Sequence, residues 1–462
     1  MRKFFMQFGV HSENISELSD RLFSSILEEQ QKVAHLKPAD PEKLPQSKSL
    51  IESFAKVKGR GFFYDYFSTG RGHGPFTELV DGSIKYDLIG GIGPAILGHS
   101  HPLYIRANLE AAQSDLMMCG NLLPYNEAYL VTKKMVDLVS EKSRLRHFWF
   151  SGSGSFANDT ALKIIWQKQA PKYKIIAFEK AFAGRSVATQ DITYNEEYRQ
   201  EMPKSVDVDH VPHFNHRDPE GSLKRTLDAL NQLYDKNGDV YGGLMIELVQ
   251  GEAGFVYAPK EFYEEVFKWA KAKGLYIWID EVQSFARTRE LFAFQMFGLD
   301  EYVDVVTVGK ALQACGTLYT EELNPKPGLV AGTFNGGLAA LLAGAKTLDY
   351  LTQGPFYGVG ARFHDLEQKF ISRIENLAQT SCKGKIGYCG GVGTMISFEV
   401  GDSSKEMTAK FLKELFNNGI IAFSAGKNPT RVRFLLPSSL TDEHIDEVFT
   451  IIEKTVLDVF AD

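Results

Sequence analysis

Asp280 and Lys310 each stand where an apolar run of strand length stops. Leu275-Tyr276-Ile277-Trp278-Ile279 ends on Asp280-Glu281-Val282-Gln283, and Val303-Asp304-Val305-Val306-Thr307-Val308 ends on Gly309-Lys310. Runs of this kind suggest parallel strands buried on both faces. Ligands of open α/β sheets gather beyond the carboxyl ends of such strands, so the carboxylate and the amine are expected to face one pocket. A lysine amine forms a Schiff base with an aldehyde, and a carboxylate holds a pyridinium proton so that the ring draws electrons. Those are the protein's two main contributions to pyridoxal-phosphate chemistry. The same two residues also fit a turn cap and an ordinary surface lysine.

The wider sequence adds weight to the first reading. Ile279-Asp280-Glu281-Val282-Gln283, Arg287-Thr288, Leu291-Phe292-Ala293 and Val308-Gly309-Lys310-Ala311-Leu312 closely resemble the class III (ω-) aminotransferases. The likeness is good over roughly residues 80–350 and looser beyond. It implies a fold-type-I, pyridoxal-phosphate-dependent α/β enzyme: a large domain with a mostly parallel central sheet between helices, and a smaller α+β domain. It further implies Lys310 as the Schiff-base lysine and proton carrier, Asp280 at the ring nitrogen and Gln283 at the ring hydroxyl.

Other site residues follow from the same resemblance. Ser151-Gly152-Ser153-Gly154-Ser155 feeds a helical pattern, a natural anion cup because free N–H groups and the helix dipole favour phosphate. Aligned with the family's S-G-x-E-A-N, it makes Ser153, Gly154 and Ser155 phosphate ligands, with Phe156 where glutamate is usual. Phe182-Ala183-Gly184-Arg185-Ser186 resembles the stretch whose first aromatic stacks on the pyridine ring and whose arginine binds a distal carboxylate. Ala183 stands where histidine or an aromatic is common. Glu252, in Gln250-Gly251-Glu252-Ala253-Gly254, matches a glutamate that in some branches pairs with an arginine matching Arg433 and switches the pocket between substrates; Arg431 competes for that assignment. Ile92 matches a substrate-lining position, and Thr333 a threonine that reaches the neighbouring subunit's phosphate, implying a homodimer with shared sites. Ser284-Phe285-Ala286-Arg287-Thr288-Arg289 is one residue shorter than the family's loop and lacks its glycines.

The activity so implied moves an amino group from an ω-amino donor (ornithine, acetylornithine, lysine or GABA type) to a 2-oxo acid such as 2-oxoglutarate, in ping-pong order. A decarboxylase or racemase of the same family, and a non-catalytic relative, stay open as alternatives.

The elements that must position these residues need length, and 462 residues give ample core for more than one domain. Three segments are expected: an N-terminal one at 1–80, a large cofactor domain at 81–345 and a small domain at 346–462. A net charge of −7 gives no hint of nucleic-acid binding. Cys119, Cys315, Cys382 and Cys389 are widely spread and read as free thiols of a cytoplasmic protein. No metal is expected; His99 and His101, in Gly98-His99-Ser100-His101-Pro102, resemble a structural G-H-x-H-P of the family. No run reaches membrane-span length and the start is a poor signal peptide.

Along the chain, residues 11–35 predict amphipathic helix, the proline-bearing 36–48 an extended connector, and Asp81-Gly82-Ser83 a hairpin turn. A helix at 259–273 is stopped by Gly274, one helix is expected through the 340s to 370s, and the last begins at Thr441.

Overall fold

The fold is described from a computed structural model, in residues 13–114 and 125–461; Cys119 lies outside them. Seven strands form the central sheet: β1 (Leu145–Ser151), β2 (Lys174–Phe178), β3 (Val208–Val211), β4 (Tyr241–Ile246), β5 (Tyr276–Glu281), β6 (Val305–Val308) and β7 (Cys315–Thr320). Their order is β1-β7-β6-β5-β4-β2-β3. β3, β2, β4, β5 and β6 run parallel, while β7 is antiparallel to both β6 and β1. In the centre, β4 and β6 are buried at every position. That is why these strands read as unbroken apolar runs: helices cover both faces.

Register does the positioning. Asp280 pairs with Thr307 and Glu281 with Val308, so β5 and β6 end together and deliver Asp280 and Lys310 to one edge. The helix Lys260–Ala272 leads into β5, its buried residues Phe262, Tyr263, Val266, Phe267 and Ala270 forming one helical stripe. Gly274, at φ 71, then takes the left-handed turn that glycine adopts most cheaply.

A second sheet carries β8 (Ile386–Val392), β9 (Met395–Val400), β10 (Phe423–Ala425) and β11 (Arg431–Leu435) in the order β8-β9-β11-β10. The chain's early strands, Ser68–His73, Phe76–Leu79 and Ile84–Asp87, form a third sheet closed by Ile420–Ile421. Sequence-distant segments are thereby stitched together, and the turn at Asp81-Gly82-Ser83 joins two of those strands with Gly82 at φ 80.

Two expectations along the chain need correction. The connector ends early: Pro45 occupies the first turn of a helix, Leu44–Lys58, where a missing N–H costs nothing. The single helix of the 340s to 370s is two, Leu338–Gln353 and Arg362–Gln379, separated by Gly354-Pro355 and two glycines at positive φ, Gly358 and Gly360. Among the described residues the first helix spans Glu13–Gln31 and the last Asp442–Val459, capped by Thr441. No helix among the described residues is long and apolar enough to cross a membrane.

Candidate active site

Lys310 opens a short 3-10 turn directly after β6 and adopts φ 44. A non-glycine residue pays for that left-handed backbone with strain, a cost of order 1–3 kcal/mol that surrounding packing must sustain. Burial, then the charge of Arg433, lowers the amine's pKa to about 8, against the opposing pull of Glu252, Asp280 and Glu247. Asp280 is 6% exposed and is held at both oxygens: Oδ1 accepts from the Val282 amide at 2.8 Å, Oδ2 from Asn158 Nδ2 at 2.6 Å. Burial raises the Asp280 pKa, and the hydrogen bonds and Lys310 pull it back. Asn158 also donates to the Ala183 carbonyl at 2.7 Å, so one amide ties Asp280 to the segment bearing Phe182. Asn158 went unassigned in the sequence although it stands at the last position of S-G-x-E-A-N.

Ser153 caps the helix Gly154–Gln169, accepting from the Phe156 amide at 3.3 Å. The loop packs closely: a Cβ on Gly154 would lie 2.6 Å from Val282, and one on Gly184 would collide with Ser155 Oγ. That hydroxyl accepts from the Arg185 amide at 3.2 Å. Phe156 is exposed, and the first helical turn holds no acidic residue in place of the family's glutamate. Ala183 is buried in a small apolar cluster.

Glu247 is the second residue left unassigned from sequence. Its carboxylate accepts from the Phe182 amide at 2.8 Å and the Gly251 amide at 3.0 Å, joining two walls of the pocket. Burial, then Asp280, raises its pKa. Phe182 meets Tyr198 edge-on with centroids 5.9 Å apart. Gln283 is buried against Gly251, and its Oε1 has no hydrogen-bond partner among the described residues.

Arg433 is 1% exposed and pairs with Glu252 at 2.8 Å, while also donating to the Gly251 carbonyl at 3.2 Å. Arg431 is engaged elsewhere, pairing with Glu399 at 3.1 Å. Ile92 lies in a run, Gly90 to Gly93, in which every φ is positive; its own is 66. A Cβ on Gly93 would sit 3.4 Å from Lys310 Cδ, which places this strap against the lysine stem. Buried Arg287 fixes the strap, donating to the Gly93 carbonyl at 2.7 Å, to Thr394 Oγ1 at 3.1 Å and to the Leu436 carbonyl at 3.2 Å. Its shortened loop turns at Ala286, with φ 63 in place of glycine.

Arg185 and Thr333 sit at the margin. Arg185 is exposed with its guanidinium 3.9 Å from the Tyr198 ring, and Thr333 is exposed beside Phe334, whose carbonyl would lie 3.8 Å from a Cβ on Gly152. His99 bonds Asp87 at 2.9 Å, and His101 caps the helix Pro102–Ala111. Among the described residues no three His, Cys, Asp or Glu side chains gather as a metal site. Cys315, Cys382 and Cys389 are free.

These residues fit pyridoxal phosphate. A buried amine of lowered proton affinity, a fixed carboxylate opposite, an unpartnered Gln283 oxygen and a helix N-terminus correspond to its aldehyde, ring nitrogen, hydroxyl and phosphate.

The fold and site define an enzyme of the fold-type-I transaminase class. The aminotransferase class-III family model matches residues 60–456, and the chain belongs to that family. An acetylornithine aminotransferase of Bacillus cereus is 27% identical over 400 residues, covering 83% of this chain and 93% of the relative. A 2-aminoadipate transaminase of Pseudomonas putida is 27% identical over 407 residues, covering 84% and 95%. Among solved structures, a transaminase from the marine bacterium Virgibacillus superposes with a TM-score of 0.80 at 18% identity, covering 89% of this chain and 99% of that one. The lysine aminotransferase of M. tuberculosis gives 0.78 at 18% identity, covering 88% and 99%. At such identities the likeness of structures speaks for the fold.

Proposed function

We propose that the protein transfers an amino group from an ω-amino donor of the ornithine, acetylornithine, lysine or GABA type to a 2-oxo acid, 2-oxoglutarate, in two half-reactions. The observation that carries this reading is the Glu252–Arg433 pair at 2.8 Å, whose charges both act on Lys310. With Glu252 in place, the Arg433 charge is covered and the pocket suits a donor whose reacting carbon bears no carboxylate. With Glu252 turned away, Arg433 is free to take the α-carboxylate of the acceptor by a bidentate pair. Ile92, being aliphatic, offers no hydrogen bond to an α-amino or α-carboxylate group. Arg185 is assigned to the distal carboxylate.

Pyridoxal phosphate, when bound, supplies an aldehyde carbon and an electron-withdrawing ring. Asp280 keeps a proton at the ring nitrogen, Gln283 holds the ring hydroxyl and Phe182 lies on the ring face. Ser153, Gly154 and Ser155 hold the phosphate, with Thr333 of a neighbouring subunit in a homodimer. Lys310 Nζ would hold the cofactor's aldehyde and, as a free amine, could carry a proton at the substrate carbon. A cytoplasmic setting accords with this small-molecule chemistry.

The test is product analysis with a panel of donors. Glutamate formed from 2-oxoglutarate with an ω-amine, and with no carbon dioxide released, is expected. Carbon dioxide or an inverted stereocentre without glutamate would replace this reading with a decarboxylase or racemase.

A further inference from the structure

A cavity of about 270 Å³ opens between the loops that follow β2 and β3 and the start of β11. None of the residues assigned above to cofactor or substrate lines it. We propose that this cavity is a second site, which binds a small, multiply charged oxyanion and thereby steadies the 250–254 loop carrying Glu252. The part concerning Glu252 rests on the function proposed above; the binding itself does not.

Four guanidinium or ammonium groups line the cavity: Lys180, Arg217, Arg225 and Arg431. Their carboxylates fall short. Glu399 serves both Arg431, at 3.1 Å, and Arg217, at 3.0 Å, and Asp218 serves Arg225. Lys180 makes no ion pair among the described residues, and Glu179 is the one acidic residue on the cavity wall. The surplus shows in the neighbours. His216, stacked on Tyr388 with centroids 4.0 Å apart, has its proton affinity lowered by burial and then by Arg431 and Arg217. Lys180 is lowered by burial and by the same two arginines.

His213 adds a neutral ring to the wall: it is 8% exposed, and burial drives its pKa down to about 3. Planar guanidinium groups beside it suit carboxylate or phosphate oxygens.

The link to the Glu252 loop is through Arg431. Its Nη1 donates to the Gly254 carbonyl at 3.3 Å, and a Cβ on Gly254 would lie 2.8 Å from its Cδ. The Gly426 amide, two residues before the cavity-lining Asn428, donates to the Glu252 carbonyl at 2.7 Å. Occupancy of the cavity therefore bears on the backbone that carries Glu252.

The test is calorimetric titration of cofactor-saturated enzyme, in a buffer free of other polyanions, with inorganic phosphate in one arm and citrate in the other. The comparison is a Lys180→Gln, Arg217→Gln double variant, both residues lying outside the proposed catalytic machinery. Wild type is expected to bind at least one probe, with the variant weakened tenfold or more; the arm that binds tells phosphate from carboxylate chemistry. Amide exchange at 250–254 should slow with the bound probe in wild type only. Equal affinity in both proteins, or no binding of either probe at about 10 mM, overturns the proposal. Either result stands whether or not the enzyme transaminates.

Discussion

Lys310 is a base only when it has lost its proton, and burial beside Arg433 brings that loss down to about pH 8. The sign follows: a lowered pKa enlarges the neutral, nucleophilic fraction at pH 7–8 relative to a free lysine. Cofactor-free enzyme should therefore take up pyridoxal phosphate at a rate that rises through a midpoint near pH 8. A midpoint near 10 would show that the pocket does not desolvate the amine. At the same scale, Glu252→Gln uncovers the Arg433 charge. We expect KM for the ω-amine to rise and α-amino acids to improve as donors, each by about tenfold, the worth of roughly 1.4 kcal/mol. Unchanged donor preference would remove Glu252 from the switch. The anchor pair was legible at residue scale because Asp280 and Lys310 each interrupt an apolar run. Asn158 and Glu247 stand inside matched motifs, yet their partners, Asp280 and Phe182, lie far along the chain, so the motifs did not disclose what they hold.

The strap at 90–93 is held by one buried arginine, and that arrangement sets what can be expected of the elements around the site. Among the described residues Arg287 has no carboxylate partner; its guanidinium is satisfied by carbonyls of Gly93 and Leu436 and by Thr394. Arg287→Leu would strand these acceptors in a buried place and should cost about 3 kcal/mol or more. The expected result is a lower urea midpoint together with a lower kcat, since Gly93 leans on the Lys310 stem. A variant as stable as wild type would mean that the strap is held some other way. The lesson about sequence reading is clearest here. Apolar runs located β5 and β6, and cap chemistry located Thr441 at the last helix. The loop at 284–289 was known to depart from its relatives, but its path, with Ala286 forced to φ 63 and Arg287 turned inward, depends on partners 194 and 149 residues away. Pro45 and Gly354-Pro355 were misread for the opposite reason, since their meaning was local: one starts a helix and the other breaks one.

At the scale of the whole molecule, the margin of the site faces outward. Phe334 is 72% exposed and Phe156 59%, one beside Thr333 and the other in the turn proposed to hold phosphate. Large exposed rings beside a ligand site suit a surface that a second copy covers. We therefore expect sedimentation to show a mass twice that of one chain. Thr333→Ala should loosen the cofactor in that dimer without dissociating it, read as loss of the cofactor on dilution or dialysis. A monomer with full activity would contradict shared sites. The three-segment division at 80 and 345 is likewise our proposal. The sheet that joins Ile84–Asp87 to Ile420–Ile421 shows why linear boundaries describe this chain loosely.

The central claim is that Lys310 holds pyridoxal phosphate and releases it to an ω-amine. The visible absorption spectrum of the purified, cofactor-loaded protein tests it directly when each candidate amine is added without a keto acid. The account predicts that the band of the lysine-bound cofactor disappears with one ω-amine and returns on addition of 2-oxoglutarate, and that Lys310→Ala never shows the band. A loaded protein whose band no amine changes, or one that takes up no cofactor at all, would contradict it.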